Sequence, residues 1–418
     1  MRLDVLTEVT DGGGTVHLLA RLAADAAEVR QRAPINLALV IDRSSSMRGP
    51  RMAQAVRAAG QVVQRLEARD RLTVVVFDAA ARVVFGPDGM TDANREKLSR
   101  ALADLETGVG TNIAGGIKLG ADKIRSGYVR GALSRLILLT DGQPSVGITD
   151  PERLSAIAAV EGQSGVAITA MGIGEGFEEE LLADMARRSG GGFYYLAGPA
   201  DIPAAFGREL AGLFAIAATS AELKLVPAEP VTAVDLLHRL ASRPVEDGLV
   251  VEVGEVAAGE PRLVLFRLTR DASSESRHLA TLRLSYRTAD GKPGDAAITG
   301  VELPRLPLGE AGRTVLVERL RLACAGAVDL AWARRAAGDR DLALAGLDDI
   351  RRQVAAARTA TGAGGDDLDA MMRDLTEAEN AVRASAAERE KIRRRLKERN
   401  QVTLLGHSTL VRAPFDDD

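Results

Sequence analysis

Ile35 to Ile41 is a nearly continuous apolar run, interrupted only by Asn36. A strand of that kind is buried on both faces, so it needs layers packed above and below it. The next segment of chain can supply one such layer. After a polar loop, Met52, Val56, Ala59, Val63 and Leu66 recur at steps of four and three, the spacing of one helical stripe. The alternation then continues. Leu72–Phe77 reads as a strand and Val83–Phe85 as a shorter one, with helices over 92–105 and 112–126. Leu136–Thr140 is another buried strand, and Asp150-Pro151 is an N-cap and first-turn pair for a helix to about Val160. Val166–Ile173, a helix over Glu178–Arg188, the strand Phe193–Leu196 and a helix from Asp201 to Phe214 complete the series. Strands alternating with helices imply parallel pairs joined by crossovers, hence a doubly wound α/β domain.

After Ala218 the period falls to two. Ala280, Leu282, Leu284 and Tyr286 alternate with Thr281, Arg283 and Ser285, and Leu249–Val253 and Leu263–Leu268 are further strands. Short strands punctuated by Gly and Pro indicate a β-sandwich. Two strands flanking Asp11-Gly12-Gly13-Gly14 open the chain and cannot stand alone, so they are expected to join that sandwich. From Arg313 the chain reads as helix, with Leu316, Leu320, Ala323, Ala327 and Ala331 on one stripe. Gly338-Asp339 breaks it, Leu342–Ala357 forms a second helix, and a third is expected over Asp367–Arg399, after a small-residue loop over Thr359–Gly365. Leu404-Leu405 and Leu410-Val411 suggest a tail that packs back, and Asp416-Asp417-Asp418 a solvated end. The expected architecture is multidomain α/β plus β plus α. N-terminal strands (1–34) join a sandwich (218–308), a doubly wound Rossmann-like domain (35–217) is inserted between them, and a helical unit with a tail (309–418) completes the chain.

Composition removes several function classes. A net charge of −4 over 418 residues gives no basic footprint for nucleic acid, and 3% aromatics leave few stacking platforms. The single cysteine, Cys324, excludes an intramolecular disulfide and a cysteine zinc cluster, and is expected as a small core residue. No apolar stretch is long enough to span a bilayer, and the start lacks a signal-like run, so the expectation is a cytoplasmic protein, from a GC-rich bacterial genome by its Ala, Arg and Gly usage.

The chemistry gathers at strand ends. The loop after the first buried strand reads Asp42-Arg43-Ser44-Ser45-Ser46-Met47, at the end of a strand where open α/β sheets bind ligands. Asp42 offers a carboxylate, and Ser44 and Ser46 offer hydroxyls. Gly108-Val109-Gly110-Thr111-Asn112 is a glycine-rich loop presenting the Thr111 hydroxyl, and Leu136-Ile137-Leu138-Leu139-Thr140-Asp141-Gly142 delivers Asp141. A hard cation such as Mg²⁺ takes oxygens in near-octahedral positions and keeps some waters. Asp42, Ser44 and Ser46 alone also fit a capped turn before a helix.

Taken together, these three segments resemble the metal-ion-dependent adhesion site of von Willebrand factor A domains. The resemblance covers about residues 35–215 and extends to Met171-Gly172-Ile173-Gly174 and Gly191-Gly192-Phe193-Tyr194-Tyr195. The layout is similar to bacterial relatives of the inter-alpha-trypsin inhibitor heavy chains and calcium-activated chloride channel-like proteins. The resemblance implies that Ser44 and Ser46 contact Mg²⁺ (or Mn²⁺ or Ca²⁺), Thr111 directly or through water, and that Asp42 and Asp141 act mainly through water and hydrogen bonds. It implies a coordination position for an Asp or Glu of a protein partner, hence a scaffold or adaptor role. The partner could instead be a second copy, this chain's own tail, or an AAA+ ATPase of the MoxR or chelatase type, such as A-domain proteins accompany. Ser45 departs from the family, where glycine is common.

The rest reads as ordinary. His17, His238, His278 and His407 show no metal-ligand spacing, and no Lys-Ser or Lys-Thr follows Gly108–Gly110 as in a phosphate loop. Glu390 and Arg394 are spaced for a solvated helix face, and Trp332 for packing among helices. A metal-dependent hydrolase would need a base or a second metal, for which no residues stand beside the motif; the chain is expected not to be an enzyme.

Overall fold

The computed structural model describes the chain except residues 11–13, 25–31, 290, 295–296, 304–308, 362–365, 405 and 407–418. His407, Leu405, Leu410-Val411, Asp416-Asp417-Asp418, residues 11–13 of the opening turn and residues 362–365 of the small-residue loop therefore lie outside the described residues. The chain forms two compact units. One is Arg30–Ile216 with Ala289–Lys292; the other is Met1–Val29, Ala217–Thr288 and Pro293–Asp418. Strands β1 (Arg2–Thr10) and β2 (Thr15–Ala23) belong to the second unit, and β3 (Ile35–Asp42) begins the first.

The first unit continues with α1 (Pro50–Arg65), β4 (Arg71–Phe77), β5 (Ala81–Gly89), α2 (Asp92–Ala103), α3 (Ile113–Ser126) and β6 (Leu133–Thr140). It closes with α4 (Pro151–Gln163), β7 (Val166–Ile173), α5 (Glu179–Ser189), β8 (Phe193–Leu196) and α6 (Ile202–Phe214). The sheet order is β5-β4-β3-β6-β7-β8. Strands β4, β3, β6, β7 and β8 pair in parallel, with Ala38 opposite Thr73 on one side and Leu136 on the other. Successive residues of β3 face opposite layers. Leu37, Leu39 and Ile41 join Met52, Ala55 and Val62 of α1 and Phe206 and Leu210 of α6. Ala38 and Val40 join Ile117 and Ala121 of α3. All are fully buried or nearly so, which is why the run is apolar but for Asn36, whose amide donates to Ile124 O at 2.8 Å; truncating Leu39 to Ala would cost about 3 kcal/mol.

Strand β5 differs from the sequence expectation. It runs over Ala81–Gly89 rather than Val83–Phe85 alone, and it pairs antiparallel with β4. The connection is too short for anything else: Ala80 N donates to Asp78 Oδ1 at 2.9 Å, closing a tight hairpin, whereas a parallel neighbour needs a long crossover. Register shifts between Leu72 and Val74, and between Val74 and Val75, break the alternation that would have disclosed the strand's full length.

The second unit adds β9 (Ile216–Pro227), which begins at the end of the first, then β10 (Val231–Leu236), β11 (Ser242–Val245), β12 (Gly248–Ala257), β13 (Arg262–Arg270), β14 (His278–Thr288) and β15 (Ala297–Glu302). They form two sheets, β1-β2-β13-β10 and β11-β12-β9-β14-β15. Strand β2 lies antiparallel between β1 and β13, with Leu18 opposite Phe266. The opening strands are thus completed by chain from beyond the α/β unit. Leu18, Val264 and Phe266 of one sheet share a core with Leu223, Leu225, Leu282 and Leu284 of the other. The alternate residues, Leu19, Leu263 and Leu265, pack on helices instead.

Those helices are α7 (Glu310–Ala336), α8 (Arg340–Thr361), α9 (Asp366–Arg383) and α10 (Ala386–Leu404). Leu320, Cys324, Val328, Leu347, Leu375 and Leu396 share their core, with Trp332 packed against it. The single third helix expected over Asp367–Arg399 is in fact two. Ser385 separates them, and its carbonyl accepts from Arg389 N at 3.0 Å, as that of a residue opening a new helix does. Arg394 is also corrected: it is buried, not on a solvated face. No helix among the described residues is long and apolar enough to cross a membrane.

Candidate metal centre

The chain passes from β3 to β4 on one side of the sheet and later to β6 on the other. That reversal opens a crevice at the C-terminal strand ends, the place where such sheets bind ligands. Asp42 is the last residue of β3, and Asp141 comes directly after β6. A short 3-10 turn over Ser45–Met47 holds the intervening serines, and Met47 anchors it in the core.

Asp42 is fully buried. Its Oδ1 accepts from Ser44 N at 2.7 Å, and its Oδ2 accepts from the Thr140 hydroxyl at 2.6 Å. Ser44 Oγ lies 3.0 Å from Ser46 Oγ, and Ser46 Oγ donates to Asp141 Oδ1 at 2.7 Å. Ser44, Thr111 and Asp141 are buried, whereas Ser46 is exposed, so the cluster meets solvent at Ser46. Thr111 approaches from the side of Gly142, its Oγ1 3.6 Å from where a Cβ on that glycine would stand.

The glycine-rich loop that carries Thr111 is fixed by close backbone approach. A Cβ at Gly108 would fall 1.9 Å from Asp78 Oδ2, and Gly110 has φ +83°. Gly108 N donates to Arg43 O at 2.7 Å, and Arg43 pairs with Asp78 at 2.6 Å, tying this loop to the one after β3. Thr111 N donates to Ser145 Oγ at 3.0 Å, and Thr111 O accepts from Ser145 N at the same distance. Asn112 caps α3, accepting from Gly115 N at 2.9 Å.

The electrostatics of the two aspartates differ. Burial drives the Asp42 carboxyl up to about 6, against the hydrogen bonds from Thr140 and Ser44, and the neighbouring Asp141 adds to the rise. No basic side chain pairs with Asp42 among the described residues. Asp141 has one: Arg51 Nη1 donates to its Oδ2 at 2.7 Å.

This donor set fits a hard divalent cation. Its atoms are oxygens, Asp42 has no cationic partner among the described residues, and Ser44 Oγ and Ser46 Oγ are 3.0 Å apart. Oxygens on adjacent corners of an octahedron about 2.1 Å from its centre are about 3 Å apart. No cluster of three His, Cys, Asp or Glu able to hold a metal occurs among the described residues; the chemistry here is of hydroxyls with two carboxylates. Thr140, Arg51, Ser145 and the Arg43–Asp78 pair escaped the sequence reading. Arg51 left one signal, a cation in the first turn of a helix, where the backbone dipole favours anions.

A doubly wound sheet with serine and threonine hydroxyls and two aspartates at its C-terminal edge is the arrangement of von Willebrand factor type A domains, which mediate protein–protein interaction. Residues 36–204 match the von Willebrand factor type A domain family, and the chain carries that domain. The protein sll0103 of Synechocystis sp. is 26% identical over 320 residues, 73% of this chain and 75% of that protein. Inter-alpha-trypsin inhibitor heavy chain H4 of Sus scrofa is 29% identical over 201 residues, 46% of this chain but only 21% of that protein. Among solved structures, a von Willebrand factor type A protein from Catenulispora acidiphila superposes with a TM-score of 0.71 over 96% of both chains at 18% identity. That likeness extends the shared fold through the sandwich and helices.

Proposed function

We propose that this chain is a scaffold or adaptor that grips an acidic residue of a partner protein through one divalent cation, Mg²⁺ in the cell. Asp42, Ser44, Ser46, Thr111 and Asp141 would hold the ion, the serines directly and the aspartates mainly through water and hydrogen bonds. The ion would supply a Lewis-acidic, positively charged contact for a carboxylate; the chain supplies position. Buried Asp42 sets the charge at the base of the crevice, Thr140 and Ser44 N fix its two oxygens, and Ser46 stands at the mouth. The observation that carries the reading is Asp42 itself, a carboxylate fully buried beside a second carboxylate with hydroxyl oxygens ranged next to it. Leaving such a charge uncompensated is costly, and a cation among those oxygens relieves it.

The test is capture of partners on the immobilised full chain in Mg²⁺, in chelator, and with Asp42→Ala. Bound protein is expected in Mg²⁺ alone and absent in the other two arms. A partner held at full strength in chelator would show that contact is made by another surface.

A further inference from the structure

Arg51 occupies an unusual place. It is the second residue of α1, and its Nη1 donates both to Asp141 Oδ2 at 2.7 Å and to the Ser46 carbonyl at 3.0 Å. The Asp141 side chain is wholly buried, while that of Arg51 is 36% exposed. It also lies against the chain after β7: a Cβ on Gly174 would stand 3.2 Å from Arg51 Nη2, so glycine there leaves it room. Of the arginines in the loop before Arg51, Arg43 is engaged by Asp78 and Arg48 donates to the Thr107 hydroxyl. Among the described residues Arg51 is thus the cation paired with an aspartate of this cluster.

We propose that Arg51 sets the balance between metal and carboxylate at this site, weakening the first and strengthening the second; this rests on the divalent-ion reading above. The charges decide the sign. Asp42 and Asp141 together bring −2, and Arg51 restores +1, so a divalent ion within this group leaves a net +1 instead of zero. A like charge a few ångströms from the ion repels it. The same surplus positive charge attracts one monovalent carboxylate as the remaining ligand in preference to neutral water. Geometry acts in the same direction. Arg51 takes one oxygen of Asp141 while Ser46 takes the other, which restrains that carboxylate from chelating the ion with both. The partner chemistry this selects is a singly charged carboxylate, Asp or Glu, and not a neutral amide or hydroxyl.

The experiment uses the full chain with Mn²⁺ as the metal probe and acetate as the carboxylate probe. Calorimetry reads Mn²⁺ affinity, and water-proton relaxation of the Mn²⁺-loaded protein reads displacement of bound water by acetate. Arg51→Met is expected to bind Mn²⁺ about tenfold more tightly and acetate about tenfold more weakly than wild type. Arg51→Lys keeps the charge and is expected to stay within about threefold of wild type on both readings. If Arg51→Met instead loses Mn²⁺ affinity, Arg51 merely props Asp141, and the proposal is wrong. If neither affinity changes, it is equally wrong. Wild type that takes up no Mn²⁺ at all would overturn the divalent-ion reading itself, an outcome distinct from either.

Discussion

In the sandwich-and-helix unit, Glu8 on β1 is 3% exposed, yet it meets Arg319 of α7 at 3.2 and 3.3 Å. His17 on β2 lies 3.8 Å from the same carboxylate. Glu318, one residue earlier on α7, is also buried and is paired with Arg321. In the α/β unit, Asp42 is buried more completely, and its surroundings are hydroxyls, an amide and another carboxylate. The two units therefore bury acid in different company. Where the charge is matched by an arginine, it fastens helix to sheet. At Asp42 no basic side chain pairs with it among the described residues, and hydroxyls and an amide gather around it instead, the arrangement on which the proposed cation site rests. Buried charge alone does not distinguish the two; the sign of what surrounds it does.

The contrast can be broken at several points, the largest expected effect first. Asp42 titrates near 6 in the folded chain against 3.8 for an ordinary aspartate. A raised folded pKa means its contribution to stability is complete below the unfolded value and is lost as pH rises through about 6. In chelator, wild type should therefore lose about 3 kcal/mol relative to Asp42→Asn between about pH 3 and about pH 7.5, read from denaturant melts. Saturating Mn²⁺ should remove the difference, and its affinity should fall about tenfold per pH unit below about 6, because the ion displaces one proton. A flat difference would mean that Asp42 is not strained by its burial.

Arg319→Ala should cost about 2 kcal/mol, between the limits for exposed and fully buried pairs, while leaving Mn²⁺ affinity unchanged. If instead it cost nothing, the Glu8 pairing would not be fastening helix to sheet. The smallest effect is expected at Ser45→Gly. Ser45 is exposed and lies between the two hydroxyls that face the site, so Mn²⁺ affinity should stay within about twofold. A larger change would give that backbone position a part in the site.

Legibility in the sequence depended on where each signal resides. The runs Ile35–Ile41 and Leu136–Thr140 announced a doubly buried sheet because both faces must be apolar, and strand-end logic then placed Asp42 and Asp141 along one edge. The pairing of β2 with β13 joins residues far apart in sequence, so only the instability of an isolated hairpin pointed to it. Strand β5 was under-read because bulges interrupt its alternation, and the break at Ser385 was missed because neither Gly nor Pro marks it. Arg51 was missed because its role depends on a carboxylate ninety residues away in the chain.

The most direct test of the central claim is a calorimetric titration of Mn²⁺ into the full chain at neutral pH, beside Asp42→Ala checked by circular dichroism to be folded. One ion per wild-type chain is expected, and an affinity lower by about tenfold to a hundredfold in the variant. Equal uptake by both chains, or none by wild type, would contradict it.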